Sequence, residues 1–289
     1  MDSVLIAVDG SKDSRIALRW GAHVATELGL RLKVVQAWQY PSDAILSIGR
    51  IELPPPDLAE EHIEAQLRLL LDHELGSDPD PERIDIEVAR GPAADVLLRA
   101  IGADTRMAVV GSRGLGGFKG LLLGSVSRQV IEHAACPVTV VGPAVVVDPV
   151  HLETMVVAID GSTHGARALR FAAALAPGVN AKLVVAHALP ATASDQREIG
   201  EPRRRLDARR DLVEEWCGPL REAGIDHQIV VVEGDARSAL LEVAHDREAD
   251  LLVVGSRGLG PVAKLLLGSV ASSLAQHGEL PVTIVPSAR

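Results

Sequence analysis

The chain has 289 residues, of which 47% are apolar, 24% charged and 2% aromatic, and its formal net charge is −10. This length allows two domains of about 150 residues, each large enough to bury its own core. A negatively charged chain with few aromatic residues can neither neutralise a phosphate backbone nor stack on bases, so nucleic acid is excluded as the main partner.

Two further features bear on the cellular compartment. Cys136 and Cys217 are the two cysteines, too few for a disulfide framework or a zinc pattern. The N-terminal residues show no basic region followed by a long apolar run, and no apolar stretch reaches the roughly 18 residues that span a bilayer. The sequence therefore predicts a soluble, cytoplasmic protein with no membrane partner.

The chain repeats once along its length. VLIAVDGSKDSRIALRWGAHVA near the start returns as MVVAIDGSTHGARALRFAAALA, and VVGSRGLGGFKGLLLGSVS returns as VVGSRGLGPVAKLLLGSVA. A unit of this length is a whole domain rather than a stacking repeat. We therefore predict two copies of one fold, residues 1–146 and 147–289, with the linker in the proline-containing stretch Gly142–Glu153.

Short β-branched runs alternate with amphipathic stretches in each copy, which is the pattern of parallel strands joined by helical crossovers. In the first helix Ile16, Trp20 and Val24 share one face, and Ser11 stands at the N-cap position. Five strands and four helices per copy predict an α/β, doubly wound sheet. The predicted strands are Val4–Val8, Leu32–Ala37, Ile84–Val88, Met107–Val110 and Val138–Val141, then Met155–Ile159, Leu183–His187, His227–Val232, Leu251–Val254 and Val282–Val285.

The segment between Gln39 and Asp57 contains several prolines and shows no helical period. It is longer than most connections, which favours a functional loop such as a lid. A plain surface connection is an equally open alternative.

Glycines and a serine follow the fourth strand of each copy at one spacing: Gly, two residues, Gly, nine residues, then Gly-Ser. Glycine lets main-chain amides approach a phosphate without a Cβ in the way, and the Gly-Ser pair opens a helix whose free amides favour an anion. A lone Gly-Ser pair usually only turns the chain and caps a helix. Its repetition in the same strand-to-helix context favours phosphate binding.

Asp9 and Asp160 each end the first strand of a copy, where a carboxylate can accept hydrogen bonds from ribose hydroxyls or a base edge. The alternative is that they cap the following helix. Arg113 and Arg257, inside the glycine spacing, pair with a phosphate or lie solvated, and both interpretations stay open.

The repeated glycine-serine spacing, the Asp-Gly-Ser after the first strand and the Cys-Pro-Val or Leu-Pro-Val before the last strand resemble the universal stress proteins of tandem type. The resemblance covers nearly the whole chain. It implies two tandem Rossmann-like domains of the adenine nucleotide alpha hydrolase-like type, each a five-stranded parallel sheet of order 3-2-1-4-5. It also implies that the last strands of the two domains pair within the chain.

The same resemblance implies ATP bound across the carboxyl ends of the strands in both copies, and we expect Mg²⁺ to accompany it. The implied nucleotide-binding residues are Asp9, Gly10, Ser11, Ala37, Gly111, Arg113, Gly114, Gly124, Ser125 and Val126, then Asp160, Gly161, Ser162, His187, Gly255, Arg257, Gly258, Gly268, Ser269 and Val270. One departure is Pro261, which stands where the first copy has Gly117 and stiffens that segment of the second site.

Three functions follow from these residues. The first is an ATP-binding regulator of the stress response or of growth, with two ATP sites per chain, an unknown protein partner and a further homodimer as one option. The second is a slow Mg-dependent ATPase or phosphotransferase that uses the same sites. The third is a nucleotide-free interaction scaffold. No catalytic residue and no metal ligand is predicted.

Overall fold

One continuous sheet of ten strands runs through both halves of the chain. The computed structural model describes residues 2–40, 54–76, 80–116, 123–148, 150–190, 202–259 and 267–287. Within these ranges every strand predicted from the sequence is present, with bounds that differ from the prediction by at most two residues.

The first half contains β1 (Ser3–Ala7), α1 (Lys12–Glu27), β2 (Arg31–Trp38), α2 (Pro56–Leu75), β3 (Ile84–Arg90), α3 (Ala93–Ala100), β4 (Thr105–Gly111), α4 (Ser125–His133) and β5 (Val138–Val141). The second half contains β6 (Thr154–Ala158), α5 (Thr163–Leu175), β7 (Lys182–Leu189), α6 (Pro202–Trp216), α7 (Gly218–Glu222), β8 (His227–Glu233), α8 (Ala236–Asp246), β9 (Leu251–Gly255), α9 (Ser269–Ala275) and β10 (Val282–Val285). The short α7 is one helix more than predicted, because Pro219 cannot continue α6 and begins a new turn.

The strand order across the sheet is β3-β2-β1-β4-β5-β10-β9-β6-β7-β8. Each half therefore has the order 3-2-1-4-5, and all neighbours within a half are parallel. The halves join where β5 and β10 pair in antiparallel fashion, with Val282 opposite Val140. The strand order and the pairing of the last strands are those that the family resemblance implies.

A buried hydrogen bond crosses the junction between the halves. Thr139 of β5 and Thr283 of β10 lie opposite each other, their hydroxyl oxygens are 2.8 Å apart, and neither residue is exposed. Replacing Thr139 alone with Val is expected to lower the free energy of unfolding by about 1 to 2 kcal/mol, because the Thr283 hydroxyl loses its partner without reaching water. Thermal unfolding measures the loss.

The matched control for this prediction is the double variant Thr139→Val with Thr283→Val. Two valines of similar shape leave no unpaired group, so the double variant is expected to be more stable than the single one. If the free energy of unfolding of the double variant fell by the sum of the two single-variant losses, the two hydroxyls would not be hydrogen-bonded to each other.

Helices cover both faces of the sheet. One core contains the apolar sides of α1, α2, α5 and α6, and the other contains those of α3, α4, α8 and α9. The predicted inner face of α1 is confirmed, since Ile16, Trp20 and Val24 are all buried. Each core extends through both halves and packs against the sheet. The loops at the carboxyl ends of the strands are therefore attached to a closely packed part of the protein.

Some predictions fall on connecting segments. The described residues between Gly142 and Glu153 contain neither helix nor strand, as a linker requires. Residues 41–53 lie outside the described part of the chain, so the choice between a lid and a plain connection there stays a prediction. None of the helices in the described ranges is long and apolar enough to cross a membrane.

Candidate functional site

A cavity opens at the carboxyl edge of the sheet in each half, with a volume of about 480 Å³ in the first half and about 650 Å³ in the second. Its walls are the loops after the first and fourth strands and the N-terminal turns of three helices, which are α1, α3 and α4 in the first half and α5, α8 and α9 in the second. The predicted residues that line the first cavity are Asp9, Ala37, Gly111, Arg113, Gly114, Gly124, Ser125 and Val126. Those that line the second are Asp160, Gly255, Arg257, Gly258, Gly268, Ser269 and Val270.

The aspartate at the end of the first strand joins two loops of the cavity. Asp9 accepts a hydrogen bond at 3.0 Å from the main-chain N–H of Ser11 on one oxygen and another at 3.0 Å from that of Leu115 on the other. Asp160 repeats this with the N–H groups of Ser162 and Leu259, at 2.9 and 3.0 Å. Because a carboxylate has about four acceptor positions, each aspartate can still accept from a ligand hydroxyl.

The hydrogen bonds to Asp9 keep it ionised. Burial alone would raise the pKa of Asp9, but the bonds from the Ser11 side chain and from the main-chain N–H groups of Ser11 and Leu115 outweigh it. The pKa of Asp9 therefore lies below its ordinary value of 3.8. At neutral pH the residue can only accept hydrogen bonds, which suits a ribose hydroxyl.

The Gly-Ser pair places free amides at the cavity. The N–H of Gly124 donates to the carbonyl of Ser112 at 2.7 Å, and that of Gly268 donates to Ser256 at 2.8 Å. No side chain in the described part of the chain caps α4 or α9. The first amides of α4, those of Ser125 and Val126, are thus the donors that an anion can reach.

An apolar wall completes each cavity, and the sequence analysis identified only Ala37, Val126 and Val270 of its residues. In the first cavity it consists of Ala37, Ala93, Leu97, Leu123 and Val126. In the second, Ala188, Ala236, Leu240 and Val270 take the same places. The available signal was an alanine at the first position of the helix after the third strand in both copies. A slot with small apolar residues on its walls fits a flat heteroaromatic ring.

Four predicted residues lie outside both cavity linings and hold the first turn of the following helix. Gly10 and Gly161 each have φ of +82°, which side chains rarely adopt. The Ser11 hydroxyl caps α1 by accepting from the Ser14 N–H at 3.2 Å, and Ser162 caps α5 through the N–H of Gly165 at 3.0 Å. The predicted N-cap positions of Ser11 and Ser162 are confirmed, so the serines cap these helices and the aspartates Asp9 and Asp160 do not.

The structure corrects the assignment of His187. Ala7 lies opposite Val35 and Ala158 lies opposite Ala186, so the counterpart of Ala37 is Ala188, one residue beyond His187. A shift of one residue along a strand turns a side chain to the other face of the sheet. The ring of His187 is accordingly buried under α6 and is absent from the lining of the second cavity.

The surroundings of His187 belong to the core. Its Nδ1 donates to the carbonyl of Ile159 at 2.7 Å, and its ring meets that of Trp216 edge-on at 5.3 Å. Burial lowers the pKa of His187, so the ring is neutral at physiological pH. The residue positions strand β7 and α6 rather than a ligand.

Two predicted glycines are required by helix packing. A Cβ on Gly111 would lie 2.8 Å from the carbonyl carbon of Asp13, and one on Gly255 would lie 2.7 Å from that of His164. Gly111 and Gly255 therefore let the first turns of α1 and α5 pack against the sheet. The departure at Gly117 and Pro261 falls outside the described residues.

Comparisons with known proteins agree with this architecture. The model of the universal stress protein family matches residues 1–142 and 151–286. Universal stress protein Rv2623 from Mycobacterium tuberculosis is 31% identical over 290 residues, covering 97% of this chain and 95% of the relative. Universal stress protein Rv1996 from the same species is 28% identical over 312 residues, covering 97% and 94%. The chain therefore belongs to the universal stress protein family, as the sequence motifs indicated, with one family domain in each half.

A solved structure supports the fold. The crystal structure of a universal stress protein from Archaeoglobus fulgidus matches 98% of this chain and 98% of its own with a TM-score of 0.68 and 22% identity. At this identity the match concerns the arrangement of helices and strands.

Proposed function

We propose that each half of the chain binds one adenine nucleotide, ATP, and that occupancy of the two sites regulates a protein partner in the stress response or in growth. The observation that carries this proposal is the pair of open cavities, each combining a carboxylate, free helix amides, an arginine and an apolar slot. The carboxylate suits the ribose, the helix amides and the arginine suit the phosphates, and the apolar slot suits an adenine ring.

The proposed arrangement of ATP follows the lining of the first cavity. Adenine lies in the slot beside Ala37 and Ala93, and the ribose hydroxyls donate to Asp9. The phosphates lie at the start of α4, where the amides of Ser125 and Val126 donate to them. Arg113 also lines this cavity, and its guanidinium can donate hydrogen bonds to a phosphate.

The proposal assigns Mg²⁺ to the nucleotide rather than to the protein. The described residues contain no group of three or more His, Cys, Asp or Glu side chains that could hold a metal ion. Mg²⁺ usually keeps several waters and binds through substrate phosphates, where it offsets their negative charge.

Titration calorimetry with ATP tests the proposal. We expect about two equivalents of ATP per chain at micromolar dissociation constants, or about −8 kcal/mol per site. Ala93 and Ala236 are matched positions for blocking variants, because each is a half-buried first residue of a helix at the slot. Ala93→Trp is expected to remove the first equivalent and Ala236→Trp the second.

The outcomes separate binding from the other functions. No heat of binding at micromolar ATP would reject the proposal and leave an interaction scaffold. Phosphate released over hours, and lost in the variant carrying both tryptophans, would favour the slow ATPase. The domain bounds 1–146 and 147–289, the cytoplasmic location and a homodimer beyond the single chain stay predictions.

A further inference from the structure

The two cavities differ in charge at one equivalent position. Asp13 and His164 each lie two residues after the serine that caps the first helix of their half. Each packs against the glycine that ends the fourth strand, Gly111 or Gly255. The duplicated fold thus places an acid in one half where the other half has a histidine.

In the first half Asp13 offsets the charge of the cavity arginine. Its side chain is 8% exposed and accepts a hydrogen bond from the Ser112 hydroxyl at 2.8 Å. The Nε of Arg113 lies 3.5 Å from the same carboxylate oxygen. Because Arg113 lines the first cavity, a phosphate there meets a guanidinium whose charge a buried carboxylate already balances.

In the second half His164 itself lines the cavity. The charged groups around it are Arg257 from the loop after β9, Arg167 on its own helix α5, and Asp160 from the loop after β6. Its Nε2 is buried, and no group in the described ranges hydrogen-bonds to it. Burial, and then the two arginines, lower the pKa of His164, so the ring is neutral at pH 7 before a ligand binds.

Formal charges summarise the difference. At this position the formal charge is −1 in the first half, from Asp13. It is 0 in the second half while His164 is neutral, and +1 when the histidine is protonated. A polyphosphate is therefore repelled less by the second cavity, and the difference grows as the solution becomes acidic.

We propose that the two sites bind phosphorylated nucleotides unequally, the second more tightly, and that Asp13 and His164 set the difference and its dependence on pH. This inference rests on the nucleotide binding proposed above. It makes the second site the one that fills first. The first site responds only at higher nucleotide concentration.

The sign of the pH dependence follows from linkage. A phosphate beside His164 favours the protonated ring, so binding takes up a proton, and affinity at the second site rises as pH falls through the pKa of the occupied state. The first site has an aspartate in place of this histidine. Protonation of ATP itself affects both sites, so the ratio of the two affinities isolates the protein groups.

Calorimetry on the two blocking variants tests the inference. With ATP at pH 8 we expect the second site, measured in Ala93→Trp, to bind about fivefold more tightly than the first, measured in Ala236→Trp, as one unit of charge several ångströms away allows. At pH 6 the ratio is expected to exceed about tenfold. Adenosine, which has no phosphate, should bind the two sites within about a factor of two at both pH values.

Two uncharged variants assign the effect to the named residues. His164→Asn in the Ala93→Trp background should remove the extra gain on acidification. Asp13→Asn, in the Ala236→Trp background, should tighten ATP binding by about fivefold while leaving adenosine binding unchanged. Both variants can also be tested in the chain without tryptophan substitutions, where Asp13→Asn should bring the two dissociation constants together.

The outcomes distinguish the two proposals. Equal affinities for ATP at both sites, or a ratio that neither variant changes, would overturn the inference while leaving nucleotide binding intact. An absence of ATP binding in the unmodified chain would overturn the proposed function and this inference together.

Discussion

Replacing Gly114 with Val is expected to weaken ATP binding at the first site by at least about 100-fold, or about 2.7 kcal/mol, and to leave the second site intact. A Cβ at Gly114 would overlap the Asp9 carboxylate. That carboxylate accepts the Leu115 N–H that holds the loop against β1. Moving it removes the ribose acceptor and shifts the loop into the phosphate end of the cavity, so the loss exceeds that of one hydrogen bond.

Calorimetric stoichiometry measures the effect. Gly114→Val should lower it from about two ATP per chain to about one, and so should Gly258→Val, whose Cβ would lie 2.6 Å from an Asp160 oxygen. Leu69→Ala is the control, because this side chain is 69% exposed and is not part of the lining of the first cavity. Unchanged ATP affinity in Gly114→Val, with the fold intact by circular dichroism, would show that the nucleotide lies elsewhere.

The sheet could be predicted from the sequence because its signals are local and repeated. Fully buried parallel strands read as short β-branched runs, and each run here occurs twice at the same place in the repeat. The order of the strands came from the family resemblance. The runs alone do not show which of them are neighbours.

The side of the sheet to which an individual side chain points could not be predicted with the same accuracy. The apolar run predicts an end of β7 at His187, whereas the strand continues to Leu189. Within such a run nothing local distinguishes the residue that faces the cavity from the one that faces the core, so the sequence alone does not place His187 correctly. The register with β6 settles the choice, since it places Ala188 at the position of Ala37.

Contacts between distant segments were also beyond the sequence. Asp13 reaches Ser112 and Arg113 across 99 and 100 residues, and although these two residues lie inside the glycine spacing, nothing in that motif indicates Asp13 as their partner. Likewise, Gly161 reads as part of Asp-Gly-Ser, but a Cβ there would lie 2.5 Å from the ring of Trp216. The motif identifies positions where a particular residue type is required. The packing shows whether that requirement comes from a ligand or from a neighbouring part of the protein.

Gly111 illustrates this distinction, because its substitution is expected to reduce stability rather than affinity. In Gly111→Ala the new Cβ would lie 2.8 Å from the Asp13 carbonyl carbon and 2.9 Å from the Ser14 nitrogen. Both are main-chain atoms at the start of α1, so they can move only if the helix moves away from β4. Such overpacking is expected to cost about 2 to 3 kcal/mol in the free energy of unfolding, and to lower Tm by about 5 to 10 °C.

Thermal and urea unfolding of Gly111→Ala without nucleotide measure this loss. Gly116→Ala is the control, because its Cβ would meet nothing within 4 Å, and we expect a change within about 0.5 kcal/mol. Gly114→Val should show the opposite pattern, a large loss of ATP affinity with a smaller loss of stability. If Gly111→Ala instead kept its Tm and lost ATP binding, the glycine would serve the phosphate, and the close packing of α1 against β4 would not be what requires it.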